Sequence, residues 1–215
     1  GELQGTAIGN LIAEDNESEP DPKSYAQLIS HINAALRKIY SRFFCSAKEI
    51  YITLDESIAI YKLHSDFAES NIASPEPIKY IADSVENPFQ DDIIKIEQVY
   101  NEVGELLTLN DFTDDEALYT PDHRSIQVPW PNDHNTIAVQ YRASHPKIQY
   151  TVDMDVETTD VNIPEALYNA FLMYVAYRAM PRLDGGAEKQ QYLQLFEAEC
   201  QRVDQDGLYP QGEPG

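Results

Sequence analysis

The amino-acid sequence predicts an α+β fold: an antiparallel helical bundle, built from a long N-terminal helix and a C-terminal helix pair, with a β-rich insertion and an extended C-terminal tail. Three observations predict it. Residues 162–183, NIPEALYNAFLMYVAYRAMPRL, read as a helix that is apolar almost all round, which is the pattern of a buried helix rather than a surface one. Residues 23–46 carry Tyr25, Leu28, Ile29, Ile32, Leu36, Ile39 and Phe43 at helical spacing. Between residues 91 and 145 the text turns short, β-branched and alternating.

Taken in order, residues 1–22 are an acidic, proline-bearing arm ending in EDNESEPDP. The helix after it has Ser24 or Asp21 as candidate N-caps and a polar face of Gln27, Ser30, His31, Asn33, Arg37, Lys38 and Ser41. Glu49–Asp55, EIYITLD, is a strand or an extended entry, ESIAIYKLHSDFAES is read as a short helix and SPEPIKYIADSVENP as a turn with a short helix. The helical domain is therefore expected over 23–85 and 161–203, with the β-rich insertion over 86–160. Within the insertion, DIIKIEQVYNEVGELLTLN reads as two strands about a turn near 102–105. RSIQVPWP and NTIAVQYRAS read as a hairpin across PNDHN, and KIQYTVD as a weaker strand.

The opening helix of the C-terminal pair has Asn162 as N-cap, Glu165 completing a capping box and Pro164 in the first turn. Gly185 and Gly186 break the chain, and a second helix follows with Tyr192, Leu195, Phe196, Glu199, Cys200 and Val203 on one side. The tail, 204–215, is rich in Gly and Pro and cannot continue a helix.

Composition narrows the function. There are 15 Lys and Arg against 37 Asp and Glu, a formal net charge of −22. Gripping a phosphate backbone takes clustered cations, so nucleic-acid binding is not expected. The two cysteines, Cys45 and Cys200, end apolar helical patterns and read as buried thiols, not as a disulfide framework. No secretory signal is read at the N-terminus, and no stretch is apolar enough to cross a membrane.

Chemistry-bearing motifs are scarce. The five histidines, His31, His64, His123, His134 and His145, have no metal-ligand spacing; His31, on the polar side of its helix, reads as a surface residue. DMDVETTD, Asp153–Asp160, resembles a calcium loop but lacks the central glycine and the terminal glutamate. No P-loop, GxGxxG, GxSxG or HExxH is present. The chain is thus expected not to be an enzyme and to need no cofactor or metal. Tyrosine is the unusual residue, with 14 against 7 Phe and 1 Trp. It is enriched at protein interfaces. Tyr168, Tyr174 and Tyr177 crowd the apolar helix and are the candidate subunit-interface residues.

The C-terminal half, IPEALYNAFLMYVAYRAMPRLDGGAEKQQYLQLFEAECQRV, resembles the terminal helical pair of head-to-tail connector, or adaptor, proteins of tailed bacteriophages, especially short-tailed ones. The resembling positions are Ile163, Pro164, Leu167, Ala170, Tyr174, Val175, Ala176, Arg178, Gly186, Tyr192, Phe196, Glu197, Glu199 and Val203. INAALRKIYSRFFCSAKEIYITL in the first helix suits the same family. The resemblance implies a ring, usually of twelve copies, seated below the portal protein and offering the docking site for a tail nozzle or tube protein. It also implies a place in the virion at the head-tail junction after assembly in the host cytoplasm, with DNA passing through the lumen without specific binding. The tail would grip the portal, with Leu208 and Tyr209 as its contacts. Another tail component, such as a tube, nozzle or terminator ring, is the neighbouring reading; a calcium-dependent binding module is the distant one.

A negative lumen repels the DNA backbone, so no measurable affinity for double-stranded DNA is expected at physiological salt. A fluorescence-polarisation titration checks this. A micromolar complex that weakens steeply with salt would reveal a concealed basic patch.

Overall fold

The computed structural model describes residues 22–129, 133–151, 154, 160–180 and 186–209. The chain divides into two compact units, one of residues 1–45 with 145–215 and one of residues 46–144. The first is helical among its described residues; the second is a β unit.

In the helical unit, α1 spans Pro22–Arg42, α2 spans Tyr168–Ala179 after a 3-10 turn at Glu165–Leu167, and α3 spans Ala187–Gln205. Helix α1 buries Leu28, Ile29, Ala35, Leu36, Ile39 and Tyr40, which recur every three or four residues and so share one face. The all-round apolar character of α2 has a direct cause: it packs against both α1 and α3. Ala170, Phe171, Val175, Ala176 and Ala179 are buried on it. Its start differs from the expected capping box. Pro164 holds the N-cap position of the 3-10 turn, and no side chain caps either the turn or α2. Met180, the residue before Pro181, has left the helix at ψ 127°, as the ring of a following proline requires. Helix α3 begins at Gly186 with φ 77°, where a side chain would be strained.

The β unit holds seven strands among the described residues: β1 Ala47–Thr53, β2 Ile60–Lys62, β3 Ile81–Ala82, β4 Ile93–Asn101, β5 Tyr119–Asp122, β6 Ser125–Gln127 and β7 Thr136–Ala143. They form a four-stranded sheet in the order β3-β1-β7-β4 and a three-stranded sheet in the order β2-β6-β5, with every pairing antiparallel. Both sheets feed one core, which includes Ile52, Tyr61, Leu63, Ile81, Val99, Ile126, Ile137 and Val139. Alternation is clean in β1, where Ile50 and Ile52 point inward between Glu49, Tyr51 and Thr53. In β4 it is not. Ile93, Ile96 and Val99 are all buried at a spacing of three, because register shifts against β7 fall between Ile93 and Lys95 and between Ile96 and Gln98. Each shift absorbs a residue and returns the next apolar side chain to the core face.

The helical-bundle fold class expected from the sequence is overturned by this arrangement. The fold is mixed, with three α-helices and two antiparallel sheets among the described residues, and the β unit already begins at residue 46. The reason lies in residues 47–85. The stretches read there as short helices form β2, a 3-10 turn at Ser65–Phe67 and β3, held by pairing with distant strands instead of by local periodicity. RSIQVPWP and NTIAVQYRAS are no hairpin either, since β6 and β7 belong to different sheets. KIQYTVD forms no strand over its described residues. The acidic arm, 1–21, and the end of the tail, 210–215, lie outside the described residues, as does most of DMDVETTD.

Tyrosine also proves to be a core residue here. Tyr61 and Tyr80 are buried at 5.0 Å centroid separation, ring edge to face. Each hydroxyl accepts from a backbone N–H and donates to the carbonyl of the same residue, Asp55 for Tyr61 and Lys62 for Tyr80. A phenylalanine would fill the space and leave these backbone groups unpaired.

Leu36, Leu167 and Phe171 are buried in the helical unit. Leu36→Asp, Leu167→Asp and Phe171→Asp each place an unpaired carboxylate there, a cost of several kcal/mol against a total stability on the order of 5–15 kcal/mol. Each variant is expected to lose soluble folding. Circular dichroism and melting of the soluble fraction check this, and native-like melting of any of the three would contradict the packing.

Candidate interaction site

The end of α1 is tied to the end of α3. The Arg42 guanidinium donates to Glu197 Oε2 at 2.7 Å and to Asp204 Oδ2 at 2.9 Å. Its carbon also lies 5.5 Å from the centre of the Phe43 ring. Phe43 in turn meets Tyr209 at 6.0 Å, edge to face. One arginine thus joins two helices and borders the aromatic contact that receives the last described residue. Cys200 sits fully buried in the same region, and burial pushes its thiol up to about 11. Cys45 is half-buried, and neither cysteine forms a disulfide.

The middle of α1 holds the segment that returns from the β unit. Asn33 donates from Nδ2 to the Ile148 carbonyl at 2.8 Å and accepts from the Ile148 N–H at 2.9 Å. Its position on the polar face of α1 predicts exposure, yet it is buried, because it acts as a backbone partner for a segment 115 residues away. Tyr40 donates to the Asn162 carbonyl at 2.8 Å, and Tyr25 stacks on Tyr150 at 6.4 Å.

The interface tyrosines nominated from the sequence are placed unequally. Tyr168 is 43% exposed. Tyr174 is half-buried against Phe196 of α3, at 4.9 Å, and meets Tyr177 at 5.6 Å. Lys189 of α3 places its Nζ 5.0 Å from the Tyr177 ring centre and donates to the Met180 carbonyl. Tyr174 and Tyr177 therefore join α2 to α3, while Tyr168 stands outward. In the tail, Leu208 is 54% exposed, whereas Tyr209 is held on Phe43.

His31 departs from its expected surface role. Both ring nitrogens are buried and find no hydrogen-bond partner among the described residues. Burial first, and then the Arg178 and Lys189 cations, hold its pKa below the usual histidine value. Elsewhere, among the described residues, no group of three or more His, Cys, Asp or Glu is placed to hold a metal ion, and no helix is long and apolar enough to cross a membrane. In the acidic loop NDFTDDEALYTPD, Leu118 is buried while Phe112 stands 89% exposed, its ring 5.3 Å from Tyr119.

A braced helical frame that carries outward Tyr168 and Leu208 is suited to work by contact with other proteins. The chain belongs to the SU10 adaptor protein family, whose model matches residues 1–213. It is a bacteriophage adaptor protein, a structural component of the virion. No curated protein matches the chain.

His31 sets a pH dependence whose sign follows from its lowered pKa. In the unfolded chain the ring takes up a proton near pH 6.5; in the folded chain it does so only at lower pH. The unfolded state therefore binds more protons as pH falls through 6.5, and stability drops. Melting at pH 7.5 and pH 5.5 is expected to show a smaller loss on acidification for His31→Gln than for the parent chain. Equal losses would show that His31 is not strained by its surroundings.

Proposed function

We propose that this adaptor is a head-to-tail connector. Twelve copies close into a ring below the portal protein, seat a tail nozzle or tube protein on the opposite side, and let DNA pass through the lumen without gripping it. The reading rests on family membership across residues 1–213. Its role is structural and not enzymatic. The net charge of −22 suits a lumen along which a phosphate backbone slides.

Within this reading, contacts between copies centre on the outward Tyr168, with Tyr174 and Tyr177 fixing the helix that presents it. One such surface against a different surface of the next copy generates a ring when the rotation closes. The portal contact is made by the chain's end. Leu208 supplies the exposed apolar anchor, and Tyr209, seated on Phe43, fixes where that anchor leaves the helical unit. Residues 1–21 contain no Lys or Arg, so the acidic arm is no candidate for holding DNA.

Electron microscopy of the purified chain mixed with portal-bearing heads tests the proposal. A ring beneath the portal is expected, and particles with bare portals would sink the connector reading. Deletion of residues 208–215 leaves α3 and the Arg42 pairs intact, so circular dichroism should stay unchanged while attachment to heads falls at least tenfold, which corresponds to loss of about 1.4 kcal/mol. Full attachment by the truncated chain would remove the end of the chain from the portal contact.

A further inference from the structure

The outward face of the four-stranded sheet carries a feature that the adaptor family name does not assign. In the register of the sheet, Ala138 of β7 stands directly opposite Tyr51 of β1 on one side and opposite Tyr100 of β4 on the other. Two tyrosines thus flank one small residue in a single row. Tyr51 is 49% exposed and Tyr100 half-buried. The rings rise from strands two spacings apart, about 9.5 Å, and the methyl group of Ala138 forms a low floor between them. A cavity of about 300 Å³ results.

Its polar margin is acidic. Glu49 lines it and accepts from the Tyr51 hydroxyl and from Gln140 Nε2 at 3.1 Å. Glu102 lines it from the turn after β4, with His134 Nδ1 3.5 Å from its carboxylate. Among the described residues no Lys or Arg lines it. The whole β unit carries six Lys and Arg against nineteen Asp and Glu. Of those six, Lys48, Lys95 and Arg142 are paired with Asp92 or Glu97.

We propose that this slot receives an arginine side chain from an extended segment of another protein in the particle. A planar group held between two aromatic rings needs contacts of about 3.5–4.0 Å on each face, so the ring planes must stand about 7–8 Å apart. Side chains two strand spacings apart reach that separation with a small inward lean. A guanidinium is flat, stacks on aromatic faces and donates in its own plane to a carboxylate. Glu49, beside the Tyr51 ring, is placed to accept. A lysine ammonium satisfies the charge but not the stack. Residues 1–21 and 210–215 carry no Lys or Arg and so are not the source of the arginine. The inference does not rest on the connector reading, since it concerns a different surface of the chain.

The test uses the full chain and two fluorescent peptides, Gly-Ser-Arg-Ser-Arg-Ser-Gly and its counterpart with lysine for arginine, at physiological salt. The arginine peptide is expected to bind at least about fivefold more tightly than the lysine peptide. Tyr51→Ala and Tyr100→Ala, which leave the charge unchanged, are each expected to abolish that preference, and Glu49→Gln to weaken the arginine peptide several-fold. Melting of each variant confirms that it is folded. Equal binding of the two peptides, no binding of either, or a preference that survives in folded Tyr51→Ala overturns the proposal. Self-association that is lost in Tyr51→Ala also overturns it, by making a second copy of this chain the occupant.

Discussion

Strand β7 is the piece on which the β unit closes. It pairs with β1, made almost ninety residues earlier, and with β4. Its inward residues Ile137, Val139 and Tyr141 are buried. Between β1 and β7 in sequence, β3 and β4 join the same sheet, while β2, β5 and β6 leave it to form the three-stranded one. A central strand satisfies its backbone groups on both sides and cannot be removed without exposing two edges. The outward residues of the same strand then decide what the open face offers, because the register that buries Ile137 and Val139 also sets Ala138 between two tyrosines.

How much of this was legible in the sequence depended on the distance over which each residue is held. The apolar stripe of α1 and the buried character of α2 are local periodicities, and the structure contains both helices. Strand β7 is similarly visible in NTIAVQYRA. Strands β2 and β3, of three and two residues, are too short for any period to emerge, and partners far away in the chain determine them. The two register shifts in β4 turn a period of two into a spacing of three, so the strand is recognisable while its inward face is not.

The candidate site divides along the same line. The family resemblance lay in the helical pair and the first helix, whose apolar positions are dictated locally. Asn33 and His31 were misread because helical periodicity placed them on a polar face, and only tertiary packing covers them. Tyrosine abundance pointed to interfaces, yet Tyr40, Tyr61, Tyr80 and Tyr141 are buried. The hydroxyls of Tyr40, Tyr61 and Tyr80 answer backbone groups, and that of Tyr141 meets buried Asp92. Composition cannot separate a tyrosine kept for such a bond from one kept for a partner.

The division of the chain also orders events during its synthesis. Helix α1 is made first, but the helix that covers its apolar stripe begins at Tyr168. At ribosomal speeds of about 5–20 residues per second, that delay is on the order of ten seconds. During it the β unit, whose strands all lie between residues 47 and 143, can complete itself. The stripe of Leu28, Ile29, Leu36 and Ile39 meanwhile stays uncovered by its own partner. Newly made chains crowded on one messenger would meet one another through that stripe before they meet through any surface of the finished protein.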